Sequence, residues 1–336
     1  MSYVAIDAHQ NTSTLAYLDP STGEVGTCKI YTTHEQFIEF FARFDEPCIV
    51  AIEACRQSPA VCRWLLLLGA EVHLVDPQVL HELAKLHKAK TDAKDARLML
   101  DALIHGYLPE CYLASEEVVA ARNLSRARLV LRREATRLCN LIRTWFTQAG
   151  ADCPVSDLGG KLARENMSAW IAQLPSAFSD IVLKFWRLLK EVWKQLDGLD
   201  KKIKKQVRTN PVLRALAKRP GLGPILAFSL WAEIGDIDRF ETAAQLHSYA
   251  GMVPKTMRSD KFQATGKLSN RCNKHLRYAS VLGAQCASRC RKPNRVKETY
   301  QRIREHCGPN TAKIAGGRKL LTDVLWTWRT VLARSA

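Results

Sequence analysis

Asp7 closes the apolar run "YVAIDA", and Glu53 closes a second one, "CIVAIE". A carboxylate in such a place is costly unless it reaches water or holds something positive. Asp92 and Asp95 lie three apart in "KTDAKDARLML", ahead of the apolar set Ala96, Met99, Leu100 and Leu103. Helical spacing puts both acids on one side of a first turn. There Asp92 also reads as an ordinary helix cap and Asp95 as a first-turn acid favoured by the helix dipole. That account covers the pair but leaves Asp7 and Glu53 unexplained. Four converging carboxylates repel unless a cation neutralises them, and hard oxygen donors select Mg²⁺ or Mn²⁺. Two such ions about 4 Å apart are the known device for in-line displacement at a phosphodiester.

The elements that must bring these acids together are short. Residues 3–8, 12–18, 27–31, 48–53 and 71–75 are rich in β-branched, aromatic and small apolar residues and read as strands. Thr32 or Thr33, with Glu35 or Gln36, makes a capping box ahead of "FIEFFARF". Ser58-Pro59 and Asp76-Pro77 open two further helices by placing proline at the first helical position. The order β-β-β-α-β-α-β-α predicts a mixed sheet with helices on both faces, the order of the ribonuclease H-like fold. In that topology strands one and four are neighbours, so Asp7 and Glu53 project together.

Three segments follow along the chain, at 1–110, 111–208 and 209–336. In the middle one, Leu124, Leu131, Leu138 and Trp145 recur every seven residues. Val182, Phe185, Leu189, Val192, Leu196, Leu199 and Ile203 alternate steps of three and four. This is coiled-coil spacing, fitting an antiparallel hairpin within one chain or a dimer seam equally well. In the last segment Asn210-Pro211 opens a helix, and "RPGLGP" joins it to another over 224–234. That helix-hairpin-helix-like element offers the backbone N–H groups of Gly221 and Gly223 to a phosphate. A third helix near 241–250 leads into a long polar stretch, "MVPKTMRSDKFQATGKLSN", before a helix from about Arg271.

Charge separates the ends. Residues 201–336 hold 28 Lys+Arg against 8 Asp+Glu, net +20, while the first 200 hold 22 against 25, net −3. Such asymmetry points to a polyanion, because each phosphate contact releases condensed counterions. Lys255, Arg258, Lys261, Lys267, Arg271, Lys274 and Arg277 are the candidate nucleic-acid contacts. No apolar run approaches a membrane span, and no secretory leader is evident, so a cytoplasmic, nucleoid-associated protein is expected. The eleven cysteines lack metal-ligand spacing; Cys286 and Cys290 share a helical face with no second pair.

"AIDAH", "AIEAC" and "KTDAKDA" resemble the Asp-Glu-Asp-Asp motifs of the RuvC-like transposases of bacterial insertion sequences, the bridge-RNA-guided recombinases, with pilin-gene inverting recombinases as relatives. The resemblance continues in "RPGLGPILAFSLWAEIGDIDRFETAAQLHSYAGMVP" and "GKLSNRCNKHLR", covering nearly the whole chain. It implies a catalytic serine five residues after the proline of a G-x-x-P motif, here Pro254, and so Ser259. From the residues alone Ser248, Ser259 and Ser269 stay open, although Lys255, Arg258 and Lys261 flank Ser259 and would steady a phosphate. The family usually carries glycine where this chain has Asp260 and Cys272. The resemblance further implies donor and target DNA as substrates, a non-coding guide RNA, and a dimer or tetramer whose protomers share the site.

Three rivals make other demands. A hydrolytic Holliday-junction-type nuclease keeps the carboxylates but leaves Ser259 and the basic segment unused. A sugar kinase of the actin-like fold needs glycine-rich phosphate loops, and "AIDAHQNTS" has no glycine. For a non-catalytic binding scaffold the four acids are only a cost.

Overall fold

A computed structural model describes residues 2–19, 22–85, 92–259 and 262–334, folded as two compact units, Met1–Ala114 and Ser115–Ala336. The helical middle and the basic segment therefore share the second unit.

The first unit runs β1 (Ser2–Ala8), β2 (Thr12–Leu18), β3 (Val25–Tyr31), α1 (His34–Phe41), β4 (Cys48–Glu53), α2 (Ser58–Leu67), β5 (Glu71–Val75), α3 (Pro77–Ala84), α4 (Asp92–Ile104) and β6 (Glu110–Cys111). These strands form one mixed sheet in the order β3-β2-β1-β4-β5-β6. β1 runs antiparallel to β2 and parallel to β4, and β4 is parallel to β5. Two of the helix starts read from the sequence carry their caps, whereas α2 begins at Ser58, one residue before the proline, with Gln57 at its cap and no side-chain bond there. Thr33 accepts from the Gln36 N–H, and Asp76 accepts from the Gln78 N–H at 2.9 Å. The two-residue β6 was not expected; it is too short to carry a period.

Alternation along the strands decides what each face buries. Val4, Ile6 and Ala8 of β1 pack with Val50 and Ile52 of β4 against Phe37, Phe40, Val61 and Leu65 of α1 and α2. The opposite face is paved with Ala5, Ala16 and Ala51, which lie under Leu80 of α3 and Ala96, Met99 and Leu100 of α4. Three alanines in a row across β2, β1 and β4 leave no side chain to hold the helix away, so α4 packs close to the sheet.

The second unit contains α5 (Glu116–Gln148), α6 (Lys161–Ala172), α7 (Ser176–Thr209), α8 (Pro211–Ala217), α9 (Pro224–Ile234), α10 (Ala243–Tyr249), β7 (Pro254–Ser259), β8 (Phe262–Leu268), α11 (Lys274–Ser288) and α12 (Arg295–Ala333). The α5 and α7 stripes meet each other. Trp145 rests edge-on against Phe185, with ring centroids 4.5 Å apart, and Arg128 pairs with Asp200. These pairings at opposite ends fix an antiparallel hairpin within one chain. Val182, Trp186, Leu189 and Leu196 are buried in it with Leu138, Ile142 and Phe146, and α6 supplies Ala163, Met167 and Ile171 to the same core.

Two features depart from expectation. α6 adds a helix between the two heptad stripes, which the spacing of the middle segment does not predict. The polar stretch after α10 is a two-stranded antiparallel hairpin, with Thr256 opposite Thr265 and Ser259 opposite Phe262. Both strands there are short and basic, so no apolar alternation announced them.

Candidate catalytic site

Asp7 shares its strand face with Ala5 and lies opposite Thr14 of β2, and the register pairing Ile6 with Ile52 brings Glu53 alongside at the end of β4. Both acids therefore sit on the alanine-paved face that carries α4. Packing of Ala96 and Met99 on that face delivers the first turn of α4, with Asp92 and Asp95, towards Asp7. Asp7 is 8% exposed, Glu53 and Asp95 are half-buried, and Asp92 is exposed.

Electrostatics tie three of the four acids together. Burial pushes the Asp7 carboxyl above its ordinary value; His9 opposes that, and the negative charges of Asp92 and Asp95 add to it. A carboxylate that is buried and faces two others is a group whose charged form a cation would restore. His9 was not singled out by sequence reasoning, yet its Nε2 lies 3.3 Å from Asp7 Oδ2 and 3.9 Å from Asp92 Oδ2. One ligand atom from each of Asp7, His9 and Asp92 falls within 4.8 Å of the others. Carboxylate oxygens with a single imidazole fit a divalent cation. The missed signal was spacing: two residues past Asp7 at a strand end is the same side of the strand.

The remaining candidates lie in the second unit. Ser259 is the last residue of β7, and Lys255 and Arg258 lie on the same strand. Lys261 lies outside the described residues. Lys267 on β8, Arg271 before α11 and Lys274 in its first turn are exposed. Arg277 has another occupation: its guanidinium donates to the carbonyls of Ala250 (3.1 Å), Gly251 (2.7 Å) and Ser269, clamping the ends of the hairpin segment. The two glycines of "PGLG" also differ. Gly221 has φ +81° and presses on α11, where an added Cβ would stand 2.3 Å from the Gly283 oxygen. Gly223 is the N-cap of α9 with open space around it.

A buried charge organises this unit. Glu233, at the end of α9, accepts from Arg126 Nε at 2.8 Å and Nη2 at 2.7 Å, and from Asn273 Nδ2 at 2.9 Å. Its carboxyl is held below the ordinary glutamate value: burial alone would raise it, and the bonds from Arg126 and Asn273 outweigh that. Asn273 meanwhile caps α11 through the Leu276 N–H.

Residues 4–150, which carry the mixed sheet and the acidic cluster, match the family DEDD_Tnp_IS110, "Transposase". Residues 213–301 match "Transposase IS116/IS110/IS902 family", and the two matches together span most of the sequence. The chain belongs to the IS110/IS116/IS902 family of transposases. Among curated proteins it is similar to a Pseudomonas aeruginosa protein named "Probable family 20 transposase", 28% identical over 78% of this chain and 78% of that one. It is also similar to the transposase for insertion sequence element IS1111A of Coxiella burnetii, 24% identical over 88% and 81% of the two chains. The transposase for IS1328 of Yersinia enterocolitica is 24% identical over 72% and 70%. DNA is thus the substrate class and transposition the process. Among the described residues no helix is long and apolar enough to cross a membrane.

Proposed function

We propose that this transposase cuts and rejoins DNA by divalent-metal-dependent transesterification, with Ser259 as the nucleophile. The observation that carries the metal half is Asp7, a buried carboxylate facing Asp92 and Asp95 across the α4-covered end of the sheet. Asp7, Glu53, Asp92 and Asp95 would hold Mg²⁺ or Mn²⁺, which supplies charge neutralisation at the scissile phosphate. The nucleophile half is supported by the family resemblance and by the basic setting of Ser259 between Lys255, Arg258 and Lys261.

In the reaction Ser259 gives up its hydroxyl proton and its Oγ forms a bond to phosphorus. The bond from phosphorus to one deoxyribose oxygen breaks, and that oxygen leaves as a hydroxyl after taking a proton. The phosphoserine ester conserves the bond energy, so a strand hydroxyl from the other duplex can displace the serine and reseal the backbone. Lys255 and Arg258 steady the phosphate, and Lys267, Arg271 and Lys274 add contacts to the nucleic-acid backbone. A structured non-coding RNA would choose donor and target by base pairing, leaving the protein to read backbone and A-form shape. Holding two cleaved ends at once calls for a dimer or tetramer.

Trapping the reaction on a nicked element end and mapping the adduct by mass spectrometry tests the proposal. The expected product is a nucleotide on the peptide containing Ser259, absent in Ser259→Ala, while Ser248→Ala and Ser269→Ala still form it. Cleavage by Ser259→Ala without any adduct would instead mean that water attacks, as in a hydrolytic junction nuclease.

A further inference from the structure

We propose that His9 is itself a ligand of the divalent ion at Asp7 and Asp92, and that its imidazole tilts this site from Mg²⁺ towards Mn²⁺. The inference rests on the metal-binding reading of the carboxylates given above.

His9 follows directly on β1, yet its backbone is fixed on both sides. Its N–H donates to the Thr12 oxygen at 3.0 Å, and its own carbonyl accepts from the Thr32 hydroxyl at 2.9 Å. Thr32 is bonded in turn to the Ser13 hydroxyl at 2.8 Å. A residue held this way presents its ring from a defined point, on the side of the strand that carries Asp7. The ring is about half exposed, so ion and substrate can both reach it.

The distances fit a bridging ion as well as a hydrogen bond from His9 to Asp7. An imidazolium paired with a single carboxylate closes to roughly 2.7–2.9 Å. Here Nε2 stands between two carboxylates, at 3.3 and 3.9 Å. An octahedral ion about 2.1 Å from each donor sets adjacent donors about 3.0 Å apart and opposite donors about 4.2 Å apart. The observed separations lie within about 0.3 Å of those two values, so a small adjustment of the side chains admits an ion among the three groups. A nitrogen donor replacing one oxygen or water favours first-row transition ions over Mg²⁺, because imidazole is the softer ligand.

The test is electron spin-echo spectroscopy on the full-length protein loaded with Mn²⁺, with the affinities for Mn²⁺ and Mg²⁺ measured by calorimetry. The wild type should show modulation from a directly bound ¹⁴N. His9→Gln, with an unchanged melting curve, should lose that modulation and bind Mn²⁺ about tenfold more weakly or worse, the least effect expected when even a supporting group of a metal site is lost. Its Mg²⁺ affinity should change less, narrowing the preference between the two ions. Mn²⁺ that binds the wild type and is lost in Asp7→Asn, but shows no ¹⁴N coupling, would overturn the role of His9 and leave the carboxylate site standing. Mn²⁺ binding equally well to Asp7→Asn, or not at all to the wild type, would overturn the carboxylate site itself.

Discussion

Replacing Arg126 by methionine keeps much of the side-chain volume and removes the charge opposite Glu233. The two partners are unequally placed: the Arg126 side chain is 41% exposed, that of Glu233 only 1%. Losing the arginine therefore strands a carboxylate that cannot reach water, with Asn273 as its remaining side-chain donor among the described residues. Breaking a buried pair in this way costs about 3–5 kcal/mol. The exposed guanidinium places this case near the lower end. In a unit of this size about 3 kcal/mol lowers the melting temperature by roughly 6–12 °C at neutral pH. The pH dependence carries the sharper sign. In the wild type the Glu233 pKa lies below its unfolded value, so its contribution is present above the unfolded pKa and lost as pH falls through the folded one. In Arg126→Met burial is unopposed by that cation and the pKa rises, so protonation on acidification relieves the variant. The gap between the two melting temperatures should be widest near pH 7.5 and narrow towards pH 4.5. Glu233→Gln should cost less, because Arg126 can turn to solvent, and in that background Arg126→Met should cost little more. Calorimetric melting at several pH values reads all of this. A gap that stays constant from pH 7.5 to 4.5 would mean that Glu233 is not the group the arginine keeps charged.

Gly221→Ala should lower stability by about 2–4 kcal/mol, combining a positive φ with a Cβ pressed onto α11 backbone; a melting temperature within 2 °C of the wild type would contradict this. Ala51→Leu adds bulk between β4 and α4 and should cost about 1–3 kcal/mol. It should also weaken divalent-ion binding in calorimetry, because α4 carries Asp92 and Asp95; unchanged affinity would detach α4 from the site.

The sheet was readable because its strands are short apolar runs ended by turns, and the adjacency of β1 and β4 followed from their order. The ends of β1 and β4, which carry Asp7 and Glu53, are then neighbours by register. The α5 and α7 stripes were equally visible, but periodicity says that a face is buried, not what buries it, so the intrachain hairpin needed the structure. The β7–β8 hairpin was hidden because its strands are short and basic and carry no apolar alternation in the sequence. His9 escaped because its relation to Asp92 is a contact between a strand end and a helix start distant in sequence. Arg277 read as a nucleic-acid contact by charge, whereas three carbonyls occupy its guanidinium, a commitment that composition cannot reveal. Ser259 was indicated by family resemblance, since its neighbours distinguish it only weakly from Ser248 and Ser269.

On the proposed mechanism the carboxylates around Asp7 serve the cutting of DNA and not the holding of it. The most direct test of that role is Asp7→Asn, assayed for cleavage of element-end DNA with Mg²⁺ or Mn²⁺ and for binding of the same DNA by fluorescence anisotropy. Cleavage should be abolished with either ion while the binding constant stays within about threefold of the wild type, because phosphate contacts from the basic second unit would be untouched. Metal-dependent cleavage by Asp7→Asn at near wild-type rate would contradict that role.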